Sequence, residues 1–124
     1  MTEVLAIAGG GAVGALLRYW VSTGVYALAG RAFPWGTLTV NVLGSLVMGF
    51  LYVWLIERTL SGSALRAFVL IGLLGAFTTF STFSLETFNL LEAGQAGRAL
   101  MNVLLSVLLC VLAAALGAIV ARQI

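Results

Sequence analysis

Four apolar runs, at residues 4–28, 37–56, 65–91 and 98–121, take up most of this 124-residue chain. The hydrocarbon core of a bilayer is about 30 Å thick, and a helix needs roughly 20 apolar residues to cross it. Four crossings use about 80 positions and leave only short connections. Composition agrees: 62% of the residues are apolar and 8% are charged, whereas soluble domains carry about 25% charged residues. The mean hydropathy is +1.16. The expected fold is an all-α membrane protein, a single domain over 1–124 with four transmembrane helices.

The residue inventory excludes several chemistries. The chain has no His, Asp or Lys, so one subunit assembles neither a His-centred triad nor a His/Cys zinc site. No room remains for a catalytic domain in water, and an enzyme is not expected. Cys110 lies deep in an apolar run without an intrachain partner and reads as a small buried hydrophobe. The ten charges are Arg18, Arg31, Arg58, Arg66, Arg98 and Arg122 with Glu3, Glu57, Glu86 and Glu92. They are scattered singly, with no basic block to suggest nucleic acid. Met1-Thr2-Glu3 lacks the positive start of a signal peptide, so the first run is expected to be a permanent span.

The connections are Gly30–Gly36, Glu57–Ser63 and Glu92–Gly97. The first holds the only proline, Pro34, between aromatics, which suits an interfacial turn before a helix start. An even number of spans puts Arg58, Arg66 and Arg122 on one side and Arg31 and Arg98 on the other. Under the positive-inside rule this declares no preferred side. Copies inserted both ways would pair about a two-fold axis in the membrane plane; a monomer with weak loop signals fits the same balance. The small pairs Gly10/Gly14, Ser45/Gly49, Gly72/Ala76 and Ala113/Gly117 read as generic close packing between helices.

The third run departs from the others. Between Phe77 and Ser84, five hydroxyl residues alternate with three phenylalanines, and Glu86 follows. At 3.6 residues per turn, Thr78, Thr82 and Glu86 fall on one stripe, with Phe77, Phe80 and Phe83/Ser84 on another. One or two hydroxyls satisfy themselves on the preceding turn; five beside a carboxylate suggest a polar path. Gly72 and Gly75, followed by β-branched Thr78 and Thr79, weaken the helix at mid-depth. Non-helical backbone there persists only if buried in protein or lining a wet cavity. Carbonyls freed by a break suit a cation such as Na+; a continuous helix with glycine packing sites is the other reading.

Elsewhere, Asn41 follows Thr37 and Thr39 in the second run, and Asn102, Ser106 and Cys110 share a face of the fourth. An amide inside a membrane is expensive unless bonded. Its N–H donors suit an anion or a neighbouring helix, and each of these residues alone reads as helix glue. Arg18 either snorkels toward the interface beside Tyr19 and Trp20 or lends positive potential to a wet vestibule. Glu86 is the carboxylate well inside a span, a functional position by default. Hydroxyls, amides and phenylalanine rings suit a small, strongly hydrated anion that needs its lost water replaced. The positive edge of an aromatic ring also faces anions.

Three motifs resemble the CrcB/Fluc family of fluoride channels: Gly75-Ala76-Phe77-Thr78-Thr79-Phe80-Ser81-Thr82-Phe83-Ser84-Leu85-Glu86, Gly10-Gly11-Ala12-Val13-Gly14-Ala15-Leu16-Leu17-Arg18-Tyr19, and Pro34-Trp35-Gly36-Thr37-Leu38-Thr39-Val40-Asn41. The resemblance extends over all four spans. It implies a dual-topology antiparallel homodimer in the bacterial plasma (inner) membrane. Two pores would export fluoride passively, and the third helix would be broken. Phe80 and Phe83 would meet fluoride with their ring edges, and Asn41 would donate to it. Thr79, Ser81, Thr82 and Ser84 would form a polar track that Glu86 helps to organise, and Ser106 would line the pore. Thr37 and Arg18 belong to the expected pathway as well. The backbone carbonyls of Gly75 and Thr78 from both subunits would hold a structural Na+.

A dual-topology multidrug/proton antiporter is the alternative. It needs a mid-membrane carboxylate early in the chain, but Glu3 lies outside the first span and Glu86 is off-centre. A scaffold subunit is a third class, and it has no use for a buried hydroxyl path.

Overall fold

The computed structural model describes residues 1–59 and 61–124; Leu60, part of the expected second connection, lies outside the described residues. Among the described residues the chain is helical, with no strand. Four segments are long and apolar enough to cross a membrane: Thr2–Ala29, Trp35–Arg58, Ser63–Glu92 and Ala96–Gln123. Each runs one or two residues beyond its apolar run at both ends, because the helical ladder continues into the polar interface. The first segment is helix α1 (Thr2–Ala29). The second is α2 (Trp35–Tyr52), which continues as a π-helical stretch, Val53–Arg58. The third combines α3 (Ser63–Arg66), a π-helical stretch Ala67–Leu74, α4 (Gly75–Phe77) and α5 (Ser81–Glu92). The last is α6 (Ala96–Gln123).

Two glycines make the short turns. Gly30, at φ 81°, closes α1 with its N–H on the Tyr26 carbonyl at 2.9 Å, and Gly94, at φ 74°, lies between α5 and α6. Both occupy the left-handed region, where a Cβ is costly. Pro34 caps α2 and accepts the Leu38 N–H at 3.1 Å.

Close glycine crossings hold the segments together. Lipid tails are as apolar as the helices, so association relies on van der Waals fit rather than hydrophobic drive. α1 packs on the Ala67–Leu74 stretch. A Cβ on Gly72 would lie 2.7 Å from the Ile7 carbonyl oxygen, and one on Gly10 or Gly14 would overlap the Phe68 or Leu73 carbonyl. α2 packs on α6 in the same way. There a Cβ on Gly117 would come within 2.8 Å of the Phe50 nitrogen, and one on Gly49 would overlap Ala114. At the far end of this pair, the Arg58 guanidinium donates to the Ala121 carbonyl at 2.7 Å, and Arg122 bridges to Glu57 at 3.0 Å on the exposed surface.

The third segment breaks after Phe77. Thr78 is extended (φ −86°, ψ 160°), and the helix resumes at Ser81. The opening lies within the stretch from Gly72 to Thr79 expected to be weak, while Gly72 itself is helical and serves packing against α1. One sequence expectation is corrected. The break ends the helical register that would align Thr78 with Thr82 and Glu86; only Thr82 and Glu86 share α5.

Candidate functional site

The break is built by two diverted hydrogen bonds. In a continuous helix the Thr79 N–H would go to the Gly75 carbonyl and the Thr82 N–H to the Thr78 carbonyl. Instead, the Thr79 N–H donates to Asn41 Oδ1 at 2.7 Å, and the Thr82 N–H donates to Thr79 Oγ1 at 3.1 Å. Asn41 Nδ2 in turn donates to the Thr79 carbonyl at 2.9 Å. The carboxamide therefore brackets one residue of the break from α2, using one of its two N–H donors. Thr79 caps the restarted helix as an N-terminal hydroxyl does.

Two cavities adjoin this point, and a third lies further along α5. A groove of about 410 Å³ is lined by Asn41, Thr78, Thr79, Phe80, Phe83 and Ser106, with Ser45, Cys110 and apolar neighbours. No charged side chain lines it. The Phe80 and Phe83 rings lie 5.4 Å apart, tilted by 53°; Phe83 is buried whereas Phe80 is 78% exposed. On the other side of Thr79, a cavity of about 220 Å³ brings Arg18 together with Ser22, Thr37, Thr79 and Thr82. A cleft of about 400 Å³ opens at the end bearing the first and third connections, lined by Tyr26, Arg31, Glu86 and Arg98 among others.

Of the site residues expected from sequence, the groove thus collects Asn41, Thr78, Thr79, Phe80, Phe83 and Ser106. Arg18, Thr37 and Thr82 fall in the second cavity and Glu86 in the cleft. Ser81 and Ser84 are exposed on α5, where the Ser84 hydroxyl donates to the Phe80 carbonyl at 2.9 Å. Gly75 is exposed at the start of α4.

Supporting contacts fix several of these groups. Asn102, 1% exposed, donates to Thr87 Oγ1 at 2.9 Å, and Thr87 donates to the Phe83 carbonyl at 2.8 Å. Ser106 donates to Asn102 Oδ1 at 3.4 Å, a long and weak bond. Asn102 is therefore glue between α6 and α5, and Ser106 is both glue and groove lining. Glu86 accepts from the Tyr26 hydroxyl at 2.5 Å and from the Thr37 hydroxyl. Tyr26 is a residue that sequence reasoning missed. The signal was present: Arg18, Ser22 and Tyr26 recur at four-residue spacing, one stripe of α1.

Among the described residues, no group of three or more His, Cys, Asp or Glu side chains comes together. A cation held near the break would depend on carbonyl oxygens.

The profile of the family described as CrcB-like protein, Camphor Resistance (CrcB), matches residues 5–118. The chain is 57% identical to the Fluoride-specific ion channel FluC of Magnetococcus marinus over 122 residues, covering 98% of this chain and 99% of that one. It is 54% identical to the protein of the same name in Geobacter sulfurreducens, over the whole length of both. A third relative of that name, from Methylococcus capsulatus, is 56% identical over 98% of this chain, which spans 54% of that longer protein. A match over nearly the whole chain, with identities above one half, establishes that this protein belongs to the CrcB family.

Proposed function

We propose that this protein is a passive, fluoride-selective ion channel of the bacterial inner membrane rather than an enzyme, and that it lowers fluoride in the cytoplasm. The groove at the helix break carries this reading. It offers an amide N–H from Asn41, the Ser106 hydroxyl and two phenylalanine rings, and its lining has no carboxylate. Such a wall replaces water around a small anion and does not repel it. The names of the relatives point the same way. Glu86, the acid an antiporter would need, is engaged by two hydroxyl donors outside the groove, which leaves the antiporter alternative without support.

The channel is an antiparallel homodimer with two pores. Phe80, Ser81, Thr82 and Ser84 present an exposed aromatic and hydroxyl face on the single chain. Hydroxyls turned to hydrocarbon are costly, and a second copy covers them. The near-even split of arginines between the two sides supports opposite insertion. Within each pore Asn41, Phe80, Phe83 and Ser106 contact fluoride. Thr79, Ser81, Thr82 and Ser84 form the adjoining track with Thr37, Arg18 and Glu86.

A structural Na+ is held between the copies by the Gly75 and Thr78 carbonyls. Both have lost the N–H that a continuous helix would give them, and Gly75 is exposed. Neutral carbonyl oxygens are the donors a hard monovalent cation accepts, and the ion would tie the two breaks together.

The test is efflux from liposomes containing only this purified protein, loaded with fluoride or with chloride. Fast fluoride loss with retained chloride is expected. Equal loss of both ions, or no loss from folded dimeric protein, would overturn the assignment.

A further inference from the structure

We infer that Tyr26, lodged on Gly36 and lying beneath Arg31, is the positioning residue of Glu86 and keeps that carboxylate out of the fluoride groove. The inference deepens the channel reading and rests on it.

The geometry builds outward from the acid. Glu86 Oε2 accepts the Tyr26 hydroxyl at 2.5 Å, Glu86 Oε1 accepts the Thr37 hydroxyl, and the Tyr26 and Thr37 oxygens lie 3.3 Å apart. The three groups thus form a closed triangle that joins α1, α2 and α5. Bonds from a hydroxyl to a carboxylate are the strong kind. The Tyr26 ring is itself fixed by two contacts. A Cβ on Gly36 would overlap the ring carbons Cδ2 and Cε2, so only glycine leaves room for the ring beside the turn into α2. The Arg31 guanidinium sits over the ring, 4.5 Å from its centroid. A cation over an aromatic face is attracted by the ring quadrupole. It also draws electron density from the phenol, which makes the hydroxyl a better donor to Glu86.

The placement has a consequence for conduction. Glu86 and Tyr26 line the polar cleft with Arg31 and Arg98, while Thr37 lines the inner cavity with Arg18, Thr79 and Thr82. The triangle therefore stands as a septum between cleft and inner cavity. Asn41, Phe80, Phe83 and Ser106 line the separate groove, to which Glu86 does not contribute. Held this way, Glu86 is satisfied by two hydroxyl donors in a cleft whose wall also carries Arg31 and Arg98. Without the Tyr26 hydroxyl, Glu86 keeps Thr37 as its side-chain donor, and the carboxylate is free to swing toward the groove that Asn41, Phe80, Phe83 and Ser106 line.

A double-mutant cycle tests this. Fluoride efflux is measured from liposomes carrying the full-length protein as wild type, Tyr26→Phe, Glu86→Gln and the double variant, each confirmed as a monodisperse oligomer by gel filtration. Tyr26→Phe keeps the ring, its seat on Gly36 and the cation stack, and it loses only the hydroxyl. Efflux is expected to fall about tenfold, as for loss of a hydrogen bond to a charged group. Once Glu86 is neutral, adding Tyr26→Phe should change the rate by less than about twofold, because the two residues act through one bond. Arg31→Gln should slow efflux, and Arg31→Lys, which keeps the cation, should restore most of it. Tyr26→Phe conducting at the wild-type rate, or slowing Glu86→Gln by the same factor as wild type, would overturn the inference. The thermal midpoints of the same four proteins give a second readout: coupling between the two substitutions supports the bond, and strict additivity refutes it. If the wild type itself passes no fluoride, the channel reading fails, and the midpoint cycle still decides whether Tyr26 holds Glu86.

Discussion

Asn41→Ala separates the two jobs that one side chain performs. The carboxamide accepts the Thr79 N–H at 2.7 Å and donates to the Thr79 carbonyl at 2.9 Å, while also lining the groove. Each bond contributes about 0.5–1.5 kcal/mol net, and a buried peptide group left without a partner costs about 1–3 kcal/mol. Asn41 is half-buried, so the lower ends of these ranges apply and the bent conformation loses about 2–3 kcal/mol. That is a shift of roughly 30- to 150-fold in its population relative to a continuous helix. The freed Thr79 N–H has an obvious new partner in the Gly75 carbonyl, one turn back. The third span straightens, Phe80 turns away from Phe83, and fluoride efflux falls by at least about tenfold. Asn41→Asp provides the contrast. It keeps an acceptor for the Thr79 N–H but sets a carboxylate oxygen against the Thr79 carbonyl and places an anion in the groove. Efflux should be abolished at a smaller cost to the thermal midpoint than in Asn41→Ala. Both variants are to be followed by liposome efflux and by thermal unfolding in detergent. Asn41→Ala conducting at the wild-type rate with an unchanged midpoint would refute the bracket and the pathway together.

Other consequences are more direct. Phe80→Ile removes a largely exposed ring; efflux should vanish while the purified oligomer elutes as before, and normal efflux would remove Phe80 from the pore. Gly14→Ala sets a methyl against the Leu73 carbonyl, whereas Gly97→Ala meets nothing within 4 Å. Gel filtration should therefore show aggregation or loss of the first variant and full recovery of the second, with a midpoint equal to or above wild type because alanine favours a helix over glycine. Dialysis from sodium into choline salts should lower the thermal midpoint and the efflux rate, and lithium or potassium should restore them less well than sodium. Indifference to the cation would remove Na+ from the proposed centre.

How far the sequence carries can be judged residue by residue. The four apolar runs foretell the four segments to within two residues, because in lipid only a helix satisfies its own backbone over such a length. Many polar side chains were legible too: Asn102, Ser106 and Cys110 as one face of α6, and Thr37 and Asn41 on α2, where Ser45, one turn beyond Asn41, reads from sequence only as a packing residue. Five of these six lie in the groove or within one hydrogen bond of a residue that does. Tyr26 completes such a stripe on α1, but an interfacial tyrosine is common enough that its role appears only once Glu86 is seen beside it. The cleft was not legible either, since it depends on how the ends of three segments meet.

The break marks the physical limit of such reading. Glycine and threonine propensities locate a weak region, yet Gly72 and Gly75 remain helical and the chain opens at Thr78 instead. The reason is that only half of the break is local. Thr79 capping Thr82 spans three residues and could form in an isolated segment; the bracket from Asn41 reaches across 38 residues. With α2 absent, the Thr79 N–H has no better acceptor than the Gly75 carbonyl, and the third span would close its ladder. The bent conformation is thus a property of two helices docked together, and Gly44 is what lets them dock: a Cβ there would overlap Thr78 Cγ2 and lie 3.1 Å from the Phe77 ring. A helix crossing close enough to need glycine brings an amide within reach of a backbone that would otherwise satisfy itself. Packing and pathway are therefore set by the same contact, and a change in either one alters the other.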